Sequence, residues 1–117
     1  MIKEIENLIL SSSDIIKRSV NLSNQIETSV KTITECLRNE NKIIIFGNGG
    51  SAADAQHIAA EFIGRFKLER KSYPAIALTT DTSILTSLSN DYSSDVIFSR
   101  QCESLVSKGD IVIGIST

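Results

Sequence analysis

The 117 residues predict an α/β domain on a parallel sheet, and three observations carry that expectation. Short apolar runs at Ile43–Phe46, Ala75–Leu78 and Ile111–Ile115 alternate with stretches of helical periodicity. The first run is apolar at every position, as in a strand covered on both faces. A glycine turn, Gly47-Asn48-Gly49-Gly50, joins that run to an amphipathic segment, as strand–turn–helix units require. The chain is expected to be one domain, with a helical segment at residues 1–40 and an αβ core at 42–117.

Residues 2–39 contain neither Gly nor Pro and read as helix. Ile2, Ile5, Ile9, Ile16, Val20, Ile26, Val30, Ile33 and Leu37 recur mostly at steps of three or four. Ser11-Ser12-Ser13-Asp14 would either cap a second helix or form the polar part of one long one. Nearly forty helical residues exceed what one face of a small sheet buries. The surplus apolar stripe points to packing between subunits, against the alternative of a helix folded back on its own domain.

After the strand Ile43–Phe46, Ser51 with Asp54 three residues later resembles a capping box, and the helix start offers unpaired N–H groups to an anion. Ala55, Ile58, Ala59 and Phe62 should face the sheet, while Asp54, His57, Glu61 and Arg65 form a polar stripe. His57, the sole histidine, stands one turn before Glu61, close to the expected phosphate. The same pair also reads as an ordinary surface contact, and a glycine turn alone marks many α/β proteins. No Gly-Lys-Ser/Thr follows, so the turn is not a P-loop, and it is not a dinucleotide fingerprint.

Lys67–Ser72 reads as a charged connector with a solvated basic face. Tyr73-Pro74 opens the second strand, which runs into Thr79–Ser83, a loop whose hydroxyls either meet ligand or cap a helix. A short helix follows through Leu88, ending near Asp91, and another is expected over Asp95–Ser107 before the third strand. That strand ends at Ser116-Thr117, where a second ligand loop would begin. A βα unit ending there is expected to be a fragment of a larger domain.

A formal net charge of −2 and a pI near 5.3 argue against a nucleic-acid surface. No run of 18 apolar residues suits a membrane span, and the start is unlike a signal peptide. Cys36 and Cys102 form no CxxC pair and read as reduced thiols of a cytoplasmic protein.

Taken together, FGNGGSAADAQHIAAEFIGRF, YPAIALTTDTS, SNDY, FSRQ and GDIVIGIST resemble the amino-terminal part of the bacterial phosphoheptose isomerases of the sugar isomerase (SIS) fold. The resemblance covers essentially the whole chain. It implies a flavodoxin-like three-layer sandwich on a five-stranded parallel sheet, a homotetramer with active sites at subunit contacts, and conversion of sedoheptulose 7-phosphate to D-glycero-D-manno-heptose 7-phosphate. It further implies that Asn48, Gly49, Gly50, Ser51, Ser116 and Thr117 hold the phosphate, that Glu61 is the catalytic base, and that Arg65 and Asp91 line the substrate pocket. His57 and Glu61 would be half of a zinc site that some members fill, although a carboxylate holding metal is a poorer base. Residues that complete the second phosphate loop, the metal site and the partner acid/base in the family are absent from these 117. On this reading the 117 residues alone are inactive. The alternative is a non-catalytic SIS module that binds a replication initiator or senses a sugar phosphate. An isomerase needs Ser51, His57 and Glu61; a scaffold does not.

Overall fold

The computed structural model describes all 117 residues, in two compact units, Met1–Thr32 and Ile33–Thr117. The first unit contains α1 (Ile2–Arg18), a 3₁₀ turn (Ser19–Leu22) and most of α2 (Ser23–Arg38). The interruption lies at Ser19–Leu22 rather than at the serine run, where Ser12 Oγ simply donates back to the Leu8 carbonyl at 2.9 Å. At the turn, Ser19 Oγ donates to Ile15 and Ser23 Oγ to Val20 (2.9 and 2.6 Å). No residue of α1 is buried, and Ile2, Leu8, Ile9, Ile16 and Val20 stand exposed.

In the second unit, the last turns of α2 contribute Ile33, Cys36 and Leu37 to the core. The helix ends in a Schellman motif: Glu40 N–H donates to Leu37 and Asn41 N–H to Cys36. Glu40, at φ 61°, takes the left-handed position that glycine usually occupies. Then come β1 (Ile43–Gly47), α3 (Gly50–Ile63), β2 (Ala75–Ala77), α4 (Thr82–Asp91), a 3₁₀ turn (Ser94–Val96), α5 (Ser99–Leu105) and β3 (Ile111–Ile115). The expected helix over Asp95–Ser107 is thus two pieces, joined through Ile97-Phe98, where Phe98, the residue that opens α5, stacks on Phe46 with ring centroids 4.7 Å apart.

The sheet is parallel with order β2-β1-β3, Ile43 pairing with Ala75 on one side and Ile111 on the other. The central strand explains its own composition. Ile43, Ile44 and Ile45 have no solvent exposure, and burying each contributes about 1.5–3 kcal/mol. Ile43 and Ile45 pack with Ala55 and Ala59 of α3, whose small side chains let the helix lie close to the sheet. Ile44 and Phe46 point to the other face, where Phe98 and the buried Gln101 of α5 region lie; Gln101 Nε2 donates to the Leu78 carbonyl at 3.1 Å.

At the amino ends of the strands, Asp110 joins β1 to β3. Its carboxylate accepts from Lys42 N–H (3.0 Å), Ser107 N–H (2.7 Å) and Lys42 Nζ. Burial opposes the charge, but those hydrogen bonds and the Lys42 ammonium hold the carboxyl down to about 2. Burial pushes the Cys36 thiol up, and that of Cys102 likewise.

Candidate functional site

From β1 the chain passes to β2 on one side and later to β3 on the other, so the carboxyl ends of β1 and β3 form the crevice where such sheets take ligands. Gly47 and Ile115 are register partners there, and Ser116 and Thr117 follow directly, both exposed. The sheet therefore brings the glycine turn and the Ser116-Thr117 segment to one edge, although 65 residues of sequence separate Ser51 from Ser116.

The turn itself is tight. Gly49 adopts φ 58° and is the cap of α3, so the helix starts at Gly50 and Ser51 is its second residue. This corrects the capping box: no side chain caps α3, and the Asn48 carbonyl accepts from Ser51 N–H at 3.0 Å while that of Gly49 accepts from Ala52 N–H at 3.1 Å. The N–H groups of Gly49 and Gly50 donate to no backbone carbonyl and, with Asn48, face solvent. Ser51 is buried beneath them, because Gly47 has no side chain: a Cβ on Gly47 would stand 2.7 Å from Ser51 Cβ and 2.8 Å from the Ile115 oxygen. Thr79 Oγ1 reaches the Ala52 carbonyl at 3.5 Å and joins the end of β2 to the same helix turn.

Farther along α3, His57 Nε2 and Glu61 Oε1 lie 3.2 Å apart, with side chains 75% and 36% exposed. Glu61 is therefore only half-buried. Ten residues separate it from Ser51, about 15 Å along the helix axis. An extended seven-carbon phosphate spans roughly 10 Å by its bond lengths. His57, six residues from Ser51 and about 9 Å along the axis, is the nearer of the pair to the phosphate turn. His57 and Glu61 offer two donors, and no third His, Cys, Asp or Glu joins them. Zinc takes three or four protein ligands, so these two residues alone do not fit a zinc site.

Arg65 does not continue the helical stripe, since α3 ends at Ile63; it pairs with Glu69 at 2.8 Å on the surface. Asp91, the last residue of α4, is exposed and accepts from Asn90 Nδ2 at 3.4 Å. The hydroxyls of Thr79–Ser83 do not cap α4; the Asp81 carboxylate does, accepting from Ile84 N–H at 3.0 Å. The connector Lys67–Ser72 is not uniformly solvated either. Arg70 folds back onto the end of α3, donating to the carbonyls of Glu61 (2.6 Å), Phe62 (3.0 Å) and Gly64 (3.1 Å). Nothing in the run KLERKS distinguishes that arginine from its neighbours. Gln101 was equally hidden, although an amide on the sheet-facing side of a helix was its one signal.

The sequence and the fold are shared with known proteins. The family model of the SIS domain matches residues 9–117. The chain belongs to the SIS-domain family. It is 52% identical over its full length to phosphoheptose isomerases of Geotalea daltonii and Aquifex aeolicus, covering 62% of each. Over 83 residues, 71% of this chain and 44% of the relative, it is 64% identical to that of Nitratiruptor sp.. Among solved structures, phosphoheptose isomerase from Neisseria gonorrhoeae superposes with a TM-score of 0.85 at 40% identity, over 100% of this chain and 61% of that one. The enzyme from Francisella tularensis gives 0.87 at 32% identity, over 99% and 61%. This SIS chain thus spans about three-fifths of the length of the curated relatives it matches. No helix in it is long and apolar enough to cross a membrane.

Proposed function

We propose that this SIS domain is the amino-terminal part of a sugar-phosphate isomerase that interconverts sedoheptulose 7-phosphate and D-glycero-D-manno-heptose 7-phosphate, a step toward the heptose of lipopolysaccharide core or capsule. The observation that carries the reading is the crevice: free N–H groups of Gly49 and Gly50 and the buried Ser51 stand beside Ser116 and Thr117, in a chain 52% identical to phosphoheptose isomerases. The phosphate docks on those groups with Asn48, and its binding energy holds a flexible sugar for reaction at the far end. Glu61 takes the proton from the carbon beside the carbonyl, giving a cis-enediolate, and returns it to the neighbouring carbon. The enediol hydroxyl left behind becomes the new carbonyl as its proton passes to the old carbonyl oxygen. Arg65 and Asp91 contact the sugar.

The span from Ser51 to Glu61 supports an active site shared between subunits, in which one chain holds the phosphate and another supplies the base. A homotetramer formed through the exposed apolar stripe of α1 and α2 meets that need. Zinc, where it is used, would draw on His57 and Glu61 and on ligands from outside these residues, polarising the substrate oxygens. The two cysteines, free and with thiols held protonated by burial, suit the cytoplasm.

The test is isomerisation of sedoheptulose 7-phosphate by the natural-length protein, with and without zinc. Glu61→Gln is expected to lower kcat by about 10²–10⁴ while sparing substrate binding. Retained turnover would remove Glu61 from the base role. A folded tetramer of the natural-length protein that converts nothing would favour the non-catalytic module, a binder of a replication initiator or a sugar-phosphate sensor.

A further inference from the structure

We infer that Arg70 is a positioning residue for Glu61, an inference that rests on Glu61 being the base. The last turn of any helix leaves carbonyls without intrahelical partners, and the negative end of the helix dipole collects there. In α3 those carbonyls belong to the turn that carries Glu61. Arg65 N–H does not bond back to Glu61, because the chain has left the helix at Ile63.

Arg70 takes up the vacated positions. Nη2 donates to the Glu61 carbonyl at 2.6 Å, and Nη1 reaches those of Phe62, Gly64 and Lys71 at 3.0, 3.1 and 2.9 Å. The guanidinium lies over the Tyr73 ring, 4.5 Å from its centroid, and Tyr73 N–H itself donates to Phe62 at 3.0 Å. One planar cation thus gathers four carbonyls from both sides of the helix exit. Its π-stacked face limits its own movement, and a lysine, a point charge on a flexible stem, cannot reproduce the fork.

The consequence is geometric. The backbone of Glu61 is held at both ends, by the helix before it and by Arg70 after it, so the carboxylate leaves from a fixed Cα. Misplacing a reacting group by about 1 Å costs on the order of 10²-fold in rate. The phosphate end of α3, more than three turns away, does not depend on this clamp. Arg70 therefore acts on the proton-transfer step and leaves phosphate capture alone.

Arg70→Met and Arg70→Lys in the natural-length protein test this, with Asp110→Asn as a control that weakens the fold at the β3 edge of the sheet, across β1 from the strand that Arg70 precedes. Turnover is expressed per folded protein, measured by circular dichroism at the assay temperature. The expected result is a kcat about 10–100-fold lower for Arg70→Met with KM within about threefold, no recovery in Arg70→Lys, and an unchanged kcat in Asp110→Asn. A kcat within twofold of wild type in either folded Arg70 variant overturns the inference. If Arg70→Met does not fold, folded Arg70→Lys decides by the same criterion. Amide hydrogen exchange separates this inference from the isomerase reading. A wild-type protein that converts nothing ends the isomerase reading and with it any catalytic role for Arg70. Faster exchange at Gly64 and Tyr73 in the Arg70 variants supports the clamp in every case, and unchanged exchange there overturns it.

Discussion

Replacing Gly47 by alanine tests the geometry on which the crevice depends. The added methyl would stand 2.7 Å from Ser51 Cβ, 2.8 Å from the Ile115 oxygen and 2.9 Å from the Ser51 carbonyl carbon. Carbon contacts settle at about 3.5–4.0 Å, so the first turn of α3 must retreat by roughly 1 Å from β1 and β3. None of the three atoms is the free end of a flexible side chain, and overpacking of this kind costs about 1–3 kcal/mol. The melting temperature of the natural-length protein should fall by roughly 3–10 °C. The retreat also withdraws Ser51 and the Gly49 and Gly50 N–H groups from Ser116. Losing one hydrogen bond to a charged phosphate, worth about 1.5–3 kcal/mol, should raise KM for the sugar phosphate by about 10–100-fold. Thermal denaturation and steady-state kinetics on the same preparation read both effects. A Gly47→Ala protein with wild-type melting and wild-type KM would refute the reasoning, because the crevice would then tolerate what its packing forbids.

Three further outcomes follow from other contacts. Asp110→Asn should lower stability near neutral pH: the drop from 3.8 to about 2 corresponds to about 2 kcal/mol, and on the order of 1 kcal/mol after solvent screening of the half-buried Lys42. Because the folded value is depressed, that contribution is present above about pH 4 and fades as pH falls toward 2, so urea midpoints of wild type and variant should converge over that window; a constant gap would count against it. Glu40→Gly should raise the urea midpoint by the equivalent of roughly 0.5–1 kcal/mol, since the left-handed conformation costs a residue with a Cβ about 1–2 kcal/mol and glycine's freer unfolded chain returns part of it; a lower midpoint would contradict this. Cys36, buried and with its thiol pushed up, should react with an alkylating reagent at neutral pH only as fast as the protein opens, and labelling at the rate of a free thiol would show the core to be looser than described.

The sequence made the repeating parts legible and left the singular ones hidden. Ile43–Ile45 could be read because a strand buried on both faces leaves no position for a polar residue. The α3 face was legible because Ala55 and Ala59 recur at helical spacing. His57 and Glu61 fell on one surface for the same reason. Ends are different, because they are decided by single tertiary contacts. Arg65 was extrapolated along a stripe that stops at Ile63, and the helix begins on Gly49 because its φ is positive, not because Ser51 caps it. The break before α5 falls where Phe98 meets Phe46, 52 residues away, and no local pattern announces that contact. Distance along α3 was legible too: one helix carries both the phosphate turn and the carboxylate, and ten residues of rise set them about 15 Å apart.

The strand order has a kinetic consequence. Ile43 meets Ala75 after 32 residues of intervening separation but meets Ile111 only after 68. Doubling the separation adds only about 0.6 kcal/mol of closure entropy, so the second pairing is not costly at equilibrium. On the ribosome the order matters more. At about 5–20 residues per second, β1, α3 and β2 emerge seconds before β3, and through that interval one edge of β1, with its Ile43–Ile45 run, has no neighbour. The nascent chain is then most open to pairing with a second chain, and the arrival of residues 111–115 closes that window.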